Sequence, residues 1–204
     1  MKHAAALIAL AVAVPLAPAA HAGPPLVCHA VETGGAPSLP WNTAVNDRAP
    51  GYETKNLVRD ASALLASGVP VLARMETLRR AALYASHDAS AGKALQETLI
   101  ARATQHPSDA LAVFDAAYFS EAWNQADMRG NAHPDHAKPL GDSAYAWVKR
   151  ALALSGGNPE IEYAAALMSA YPRRPEHETH VARASAAAKG DVALAKNLAW
   201  VASW

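Results

Sequence analysis

The sequence predicts an all-α protein of stacked antiparallel helical hairpins, led by an extended Pro/Gly-rich arm. Three observations carry this expectation. After Gly51 the chain is dominated by alanine, leucine, arginine and glutamate, all good helix formers. Apolar residues there recur at spacings of three and four, the period of one helix face. Short Gly, Pro, Asn and Ser punctuation separates the segments, and turns of that length place successive helices side by side.

Residues 1–22 stand apart. Lys2 precedes an unbroken apolar run from Ala4 to Val14, and Ala20-His21-Ala22 supplies a small-x-small cleavage signal. The run is far shorter than the roughly 20 residues that span a bilayer. We therefore expect a cleaved signal peptide, a periplasmic or secreted mature chain beginning near Gly23, and no membrane insertion afterwards. Lipid attachment at Cys28 requires small residues before the cysteine, which Leu26-Val27 does not provide. The whole chain has 18 basic and 18 acidic residues. Loss of the segment removes Lys2 and no acid, so the mature net charge is about −1, without the basic excess that nucleic acid demands. One cysteine forms no disulfide within its own chain, so packing holds the fold together.

From Gly23 to Tyr52 the prolines at 24, 25, 37, 40 and 50 forbid helix interiors and central strands. This is the arm, with a short strand expected over Val27–Glu32 and with Trp41 and Tyr52 pinning it to the helical domain, residues 53–204. The first helix runs from Lys55 to Ser67 and closes at Gly68. The second, Val71 to Ser86, carries Val71, Met75, Leu78, Ala82 and Ala85 on one face. Asp88 or Ser90 caps the next, which ends near Gln105, and Ser108 caps a helix from Asp109 to about Met128. A loop from Gly130 to Asp142 follows. Further helices occupy Ser143–Ser155, Pro159–Ala170, Glu176–Ala188 and Val192–Ala202, with Pro159 suited to a first helical position. The many alanines let backbones approach closely but bury little area each, so stability must come from stacking many helices.

The stretch from Arg150 to Leu167 is more specific. A helix ending in Ala151-Leu152-Ala153-Leu154 meets an Asn158-Pro159-Glu160 turn and a new helix. It resembles the junction between two tetratricopeptide repeats, with Ala151 and Ala166 at the positions where small residues allow close packing. Glu162, Ala165 and Ser169 depart from that pattern, which places large residues there. The resemblance implies a scaffold that binds a peptide or protein on its concave face, and Tyr145 and Trp147 are the candidate partner-binding aromatics.

Four groups carry candidate chemistry. His133, Asp135 and His136 put two imidazoles and a carboxylate on one loop, a possible zinc or copper site in a metal- or haem-binding accessory protein. Cys28-His29 lacks the second cysteine of a C-x-x-C-H haem attachment, so haem is disfavoured and a small buried residue is expected. His177 and His180 share a helix face at i and i+3, yet Glu176 and Glu178 read as a solvated acidic helix start. Asp115 lies on a helix that is apolar almost all round, so it is expected to be buried and paired with Arg79, Arg80 or Arg102, the alternative being an enzyme built on a buried Asp/Arg site. No phosphate-cradling glycine loop or nucleophile elbow occurs. The function expected first is thus an exported, non-catalytic helical-repeat scaffold for a protein or peptide partner, with no cofactor.

Overall fold

A computed structural model describes residues 25–127, 140, 144–170 and 173–201. Residues 1–22, expected to be a signal peptide, and the His133–His136 loop lie outside the described residues. The fold is mostly helical. Helix α1 is a single turn (Pro25–Cys28), followed by a two-stranded hairpin of β1 (Trp41–Asn42) and β2 (Asp47–Arg48), and then a 3-10 turn over Thr54–Asn56. The remaining helices are α2 (Leu57–Leu64), α3 (Val71–Ala85), α4 (Ala89–Gln105), α5 (Ala110–Asp127), α6 (Ala144–Leu154), α7 (Pro159–Ala170), α8 (His177–Ala187) and α9 (Val192–Val201). Among the described residues no helix is long and apolar enough to cross a membrane.

Local chemistry explains the boundaries. Gly68, at φ +84°, turns the chain after α2 in a conformation that L side chains rarely adopt. The Asp88 carboxylate caps α4 by accepting from the Ala91 N–H. At α5 the cap is Asp109, which accepts from the N–H groups of Leu111 and Ala112, and not Ser108 as expected, because its carboxylate reaches two orphan donors at once. Asn158 does the same for Glu160 and Ile161 at the start of α7.

Helix α5 is central and packs against α1, α3, α4, α6 and α7. Its Phe114, Tyr118, Phe119 and Trp123 are buried beside alanines 112, 116, 117 and 122. The alanines admit neighbouring backbones, and at one crossing the approach is closer than alanine permits. A Cβ on Gly92 of α4 would lie 2.6 Å from the Trp123 ring and 2.7 Å from the Ala85 Cβ.

The arm differs from expectation. No strand forms over Val27–Glu32; Pro25 instead starts the helical turn of α1, in keeping with its pre-set φ at a first helical position. Leu26, Val27, Val31 and Leu39 are buried in the same apolar core as the helices. Trp41 packs edge-on against Tyr84 at 6.1 Å and lies under the guanidinium groups of Arg79 and Arg80, while Tyr52 lies 4.5 Å from Tyr84 and donates to Asp60.

Candidate functional site

Polar side chains buried between apolar helices are where this sequence spends free energy on something other than packing. Three clusters of charged side chains stand out among the described residues, on the arm side of α3, at the α2–α3 turn, and between α6, α7 and α8.

The first cluster is the seat of the arm. Glu76 of α3 is fully buried and takes Arg79 through Nε at 2.7 Å and Nη2 at 2.8 Å, and the Arg80 Nε at 2.6 Å. The same three residues reach the arm. Glu76 accepts the Val31 N–H at 2.8 Å, Arg79 donates to the Val27 carbonyl at 3.2 Å, and Arg80 donates to the Leu39 carbonyl at 2.5 Å. Gln125 of α5 accepts the Leu26 N–H at 2.9 Å. Asn197 of α9 brackets Glu32, accepting its N–H and donating to its carbonyl, both at 2.9 Å. The Tyr84 hydroxyl donates to the Pro40 carbonyl and accepts the Ala49 N–H. Side chains from three helices thus hold the backbone of the arm, satisfying groups that a proline-rich segment leaves without helix or ladder partners.

The second cluster holds Asp115, which pairs with Arg74 at 2.5 Å and has Arg102 at 3.8 Å. Arg79 and Arg80, expected as partners, are committed to Glu76. Arg74 was missed, although a signal for it existed. The turn closing α2 leaves carbonyls without intrahelical donors, and Arg74 satisfies those of Leu65, Ala66 and Val69. Burial pushes the Asp115 carboxyl up to about 7, against the lowering effect of the Arg74 charge. Asp115 and Arg74 both have 0% exposure, so substrate reaches neither without rearrangement of the core.

The third cluster joins residues that the sequence had proposed separately. Tyr145 of α6 lies with its hydroxyl 2.8 Å from His180 Nε2, and His180 Nδ1 is 2.5 Å from Glu162 of α7. An N–H on Nδ1 is required to donate to the carboxylate, and Nε2 meets the tyrosine hydroxyl, a group able both to donate and to accept. Arg183 reaches the other Glu162 oxygen at 3.3 Å. His177 does not turn toward His180's partners; its Nδ1 donates to the Ala166 carbonyl at 3.0 Å, with the Ser169 hydroxyl 3.3 Å away. Two of the three departures from the repeat pattern, Glu162 and Ser169, therefore stand where α8 inserts its histidines. The acidic start expected for α8 is open to solvent, with Glu178 exposed and Glu176 half-buried, but both histidines of the helix are buried against α7.

Tyr145 is only 6% exposed, with Lys149 at 5.0 Å and Arg174 at 4.6 Å from its ring, and burial raises its phenol above the usual range. Trp147 is half-buried and packed against the core. In this conformation Tyr145 reads as a core hydrogen-bond partner more than as a groove-facing anchor. Cys28 is a half-buried free thiol, and the neighbouring His29 ring lies 3.6 Å from that of Trp200, its basicity lowered by burial and then by Arg79. Among the described residues no three His, Cys, Asp or Glu side chains gather as a metal site. Beside the hairpin an open, polar cleft of about 320 Å³ lies between Trp41, Asn46, Asp47, Ser86 and His87.

Comparison of the chain with known protein families, with curated proteins and with solved structures finds no match. The class that fold and site define is thus a mostly helical protein with an arm seated by side-chain contacts to its backbone.

Proposed function

We propose that the chain is an exported, non-catalytic helical scaffold that binds a protein or peptide partner. The observation that supports this reading most directly is the seat of the arm. Glu76, Arg79, Arg80, Gln125 and Asn197 recognise main-chain N–H and C=O groups of the arm, a way for a helical surface to engage a peptide with little dependence on its side chains. The other buried polar clusters suit a structural role: Asp115 is sealed with Arg74, and Tyr145, His180 and Glu162 satisfy one another at a helix junction. Export rests on the signal-like residues 1–22, and repeat-like stacking on the Arg150–Leu167 resemblance.

Affinity capture from exported extract with mild crosslinking tests the reading. Specific enrichment of a protein or peptide, abolished by an excess of untagged mature chain, is expected. Recovery of nothing above a tag-only control, or turnover of a small molecule by the purified chain, contradicts it.

A further inference from the structure

A terminal segment that completes a core and one that occupies a binding site differ in what holds the gripping side chains when the segment is absent. In the first case they are oriented by the segment itself. In the second they are already placed. Here each of the main grips makes a second bond inside its own helix. Gln125 donates to Glu121 at 3.0 Å, Asn197 donates to the Ala193 carbonyl at 3.0 Å, and Arg79 and Arg80 are both held by Glu76 from the same helix. The charges of α3 remain paired if the arm lifts away, so its departure leaves no orphaned buried ion there. Binding to a surface whose side chains are already fixed avoids most of the ordering entropy.

Beyond the hairpin the chain is anchored separately, with the Ala49 N–H donating to the Tyr84 hydroxyl and the Tyr52 hydroxyl to Asp60. The hairpin turn between the seat and this anchor is open to solvent, with Val45 68% exposed.

We infer that the seat on α3, α5 and α9 is a binding site for a polypeptide segment, occupied in this structure by the chain's own residues 25–42, which open with the helical turn of α1 and continue as irregular chain to β1. The partner it fits is an arm-like segment: prolyl-containing, with a helical turn at its start, apolar side chains at the spacing of Leu26, Val31 and Leu39, and a backbone free for Glu76, Arg79, Arg80, Gln125 and Asn197. The arm is then a guest in cis that a partner segment must displace. This inference rests on the scaffold reading and names the surface and the partner chemistry.

The test uses the complete mature chain with a protease recognition sequence in the Thr43–Asn46 turn. After cleavage in the folded state, a fluorescent synthetic peptide of residues 23–42 is added and its anisotropy followed. The expected result is that the cleaved protein keeps its helical circular dichroism, and that the labelled peptide exchanges into the seat saturably. The unlabelled peptide should compete, while a peptide with Leu26, Val31 and Leu39 changed to serine should not. Asn197→Ala, which removes two backbone contacts, should weaken binding about tenfold. Loss of helical signal on cleavage, an arm that never exchanges, or equal competition by the serine peptide overturns the inference. A partner captured from extract that the 23–42 peptide does not displace would overturn the seat while leaving the scaffold reading intact. An exchanging seat with no partner in extract would do the reverse.

Discussion

Replacing Glu76 by glutamine is the sharpest perturbation of the arm's seat. The carboxylate receives four donors, two from Arg79, one from Arg80 and one from the Val31 N–H, at 2.6–2.8 Å. Glutamine keeps the shape, but offers one acceptor oxygen and turns an NH₂ donor toward guanidinium donors. Arg79 has 0% exposure and retains its charge, now without a counter-ion. Breaking a buried pair by removing one partner costs about 3–5 kcal/mol, a large part of the roughly 5–15 kcal/mol that holds a domain. At about 2–4 °C per kcal/mol for a chain of this size, the thermal midpoint should fall by about 6–20 °C. Urea and thermal unfolding by far-UV circular dichroism measure this, with tryptophan fluorescence reporting on Trp41 beneath the two arginines. The paired replacement Glu76→Leu with Arg79→Met removes both charges and should be less damaging than the single change. A single variant within about 0.5 kcal/mol of the parent would refute the claim that this ion cluster is dry and holds the arm.

Three other perturbations have outcomes fixed by geometry. Gly92→Ala should destabilise by about 1–2 kcal/mol, because overpacking against Trp123 and Ala85 outweighs the roughly 1 kcal/mol gained in helix propensity; an equal or raised urea midpoint would contradict the close α4–α5 approach. Because burial raises the folded-state pKa of Asp115 from 3.8 to about 7, the folded chain keeps a proton that the unfolded chain has lost, so this group's contribution is greatest below about pH 4 and falls as pH rises toward 7. The stability of Asp115→Asn relative to the parent should therefore improve across that window, and parallel pH profiles would refute it. Tyr145→Phe leaves His180 Nε2 without its hydrogen-bond partner and should cost about 1–2 kcal/mol, with a coupling of about 1 kcal/mol to His180→Leu in a double-mutant cycle; additive losses would break the proposed hydrogen bond.

Much of the architecture was legible because punctuation is local. Gly68, Asp88, Asn158 and Pro159 act on their own backbone neighbours, so the helix starts near 71, 89, 144, 159, 177 and 192 could be read within a residue or two. The polar contacts were less legible because they are set by tertiary placement. Asp115 was recognisable as buried from its apolar surroundings, but the choice of Arg74 over Arg79 depends on which carbonyls the α2–α3 turn exposes. The arm was legible as proline-limited, but neither its opening helical turn nor its place inside the core was, since Leu26, Val27, Val31 and Leu39 show no helical or strand period. Glu162 and Ser169 were visible as departures from a repeat-like pattern. That they face His180 and His177 requires α8 to fold back on α7.

The most direct measurement is native-state hydrogen exchange of the arm amides as a function of denaturant. The Leu26, Val31 and Glu32 N–H groups are bonded to Gln125, Glu76 and Asn197, so they should be protected and should open together. If the arm is a guest on a preformed seat, that opening occurs at a lower free energy than exchange of the α3 and α5 amides, which stay protected while the arm is off. Arm amides that exchange only with global unfolding would make the arm a core segment and contradict the central claim.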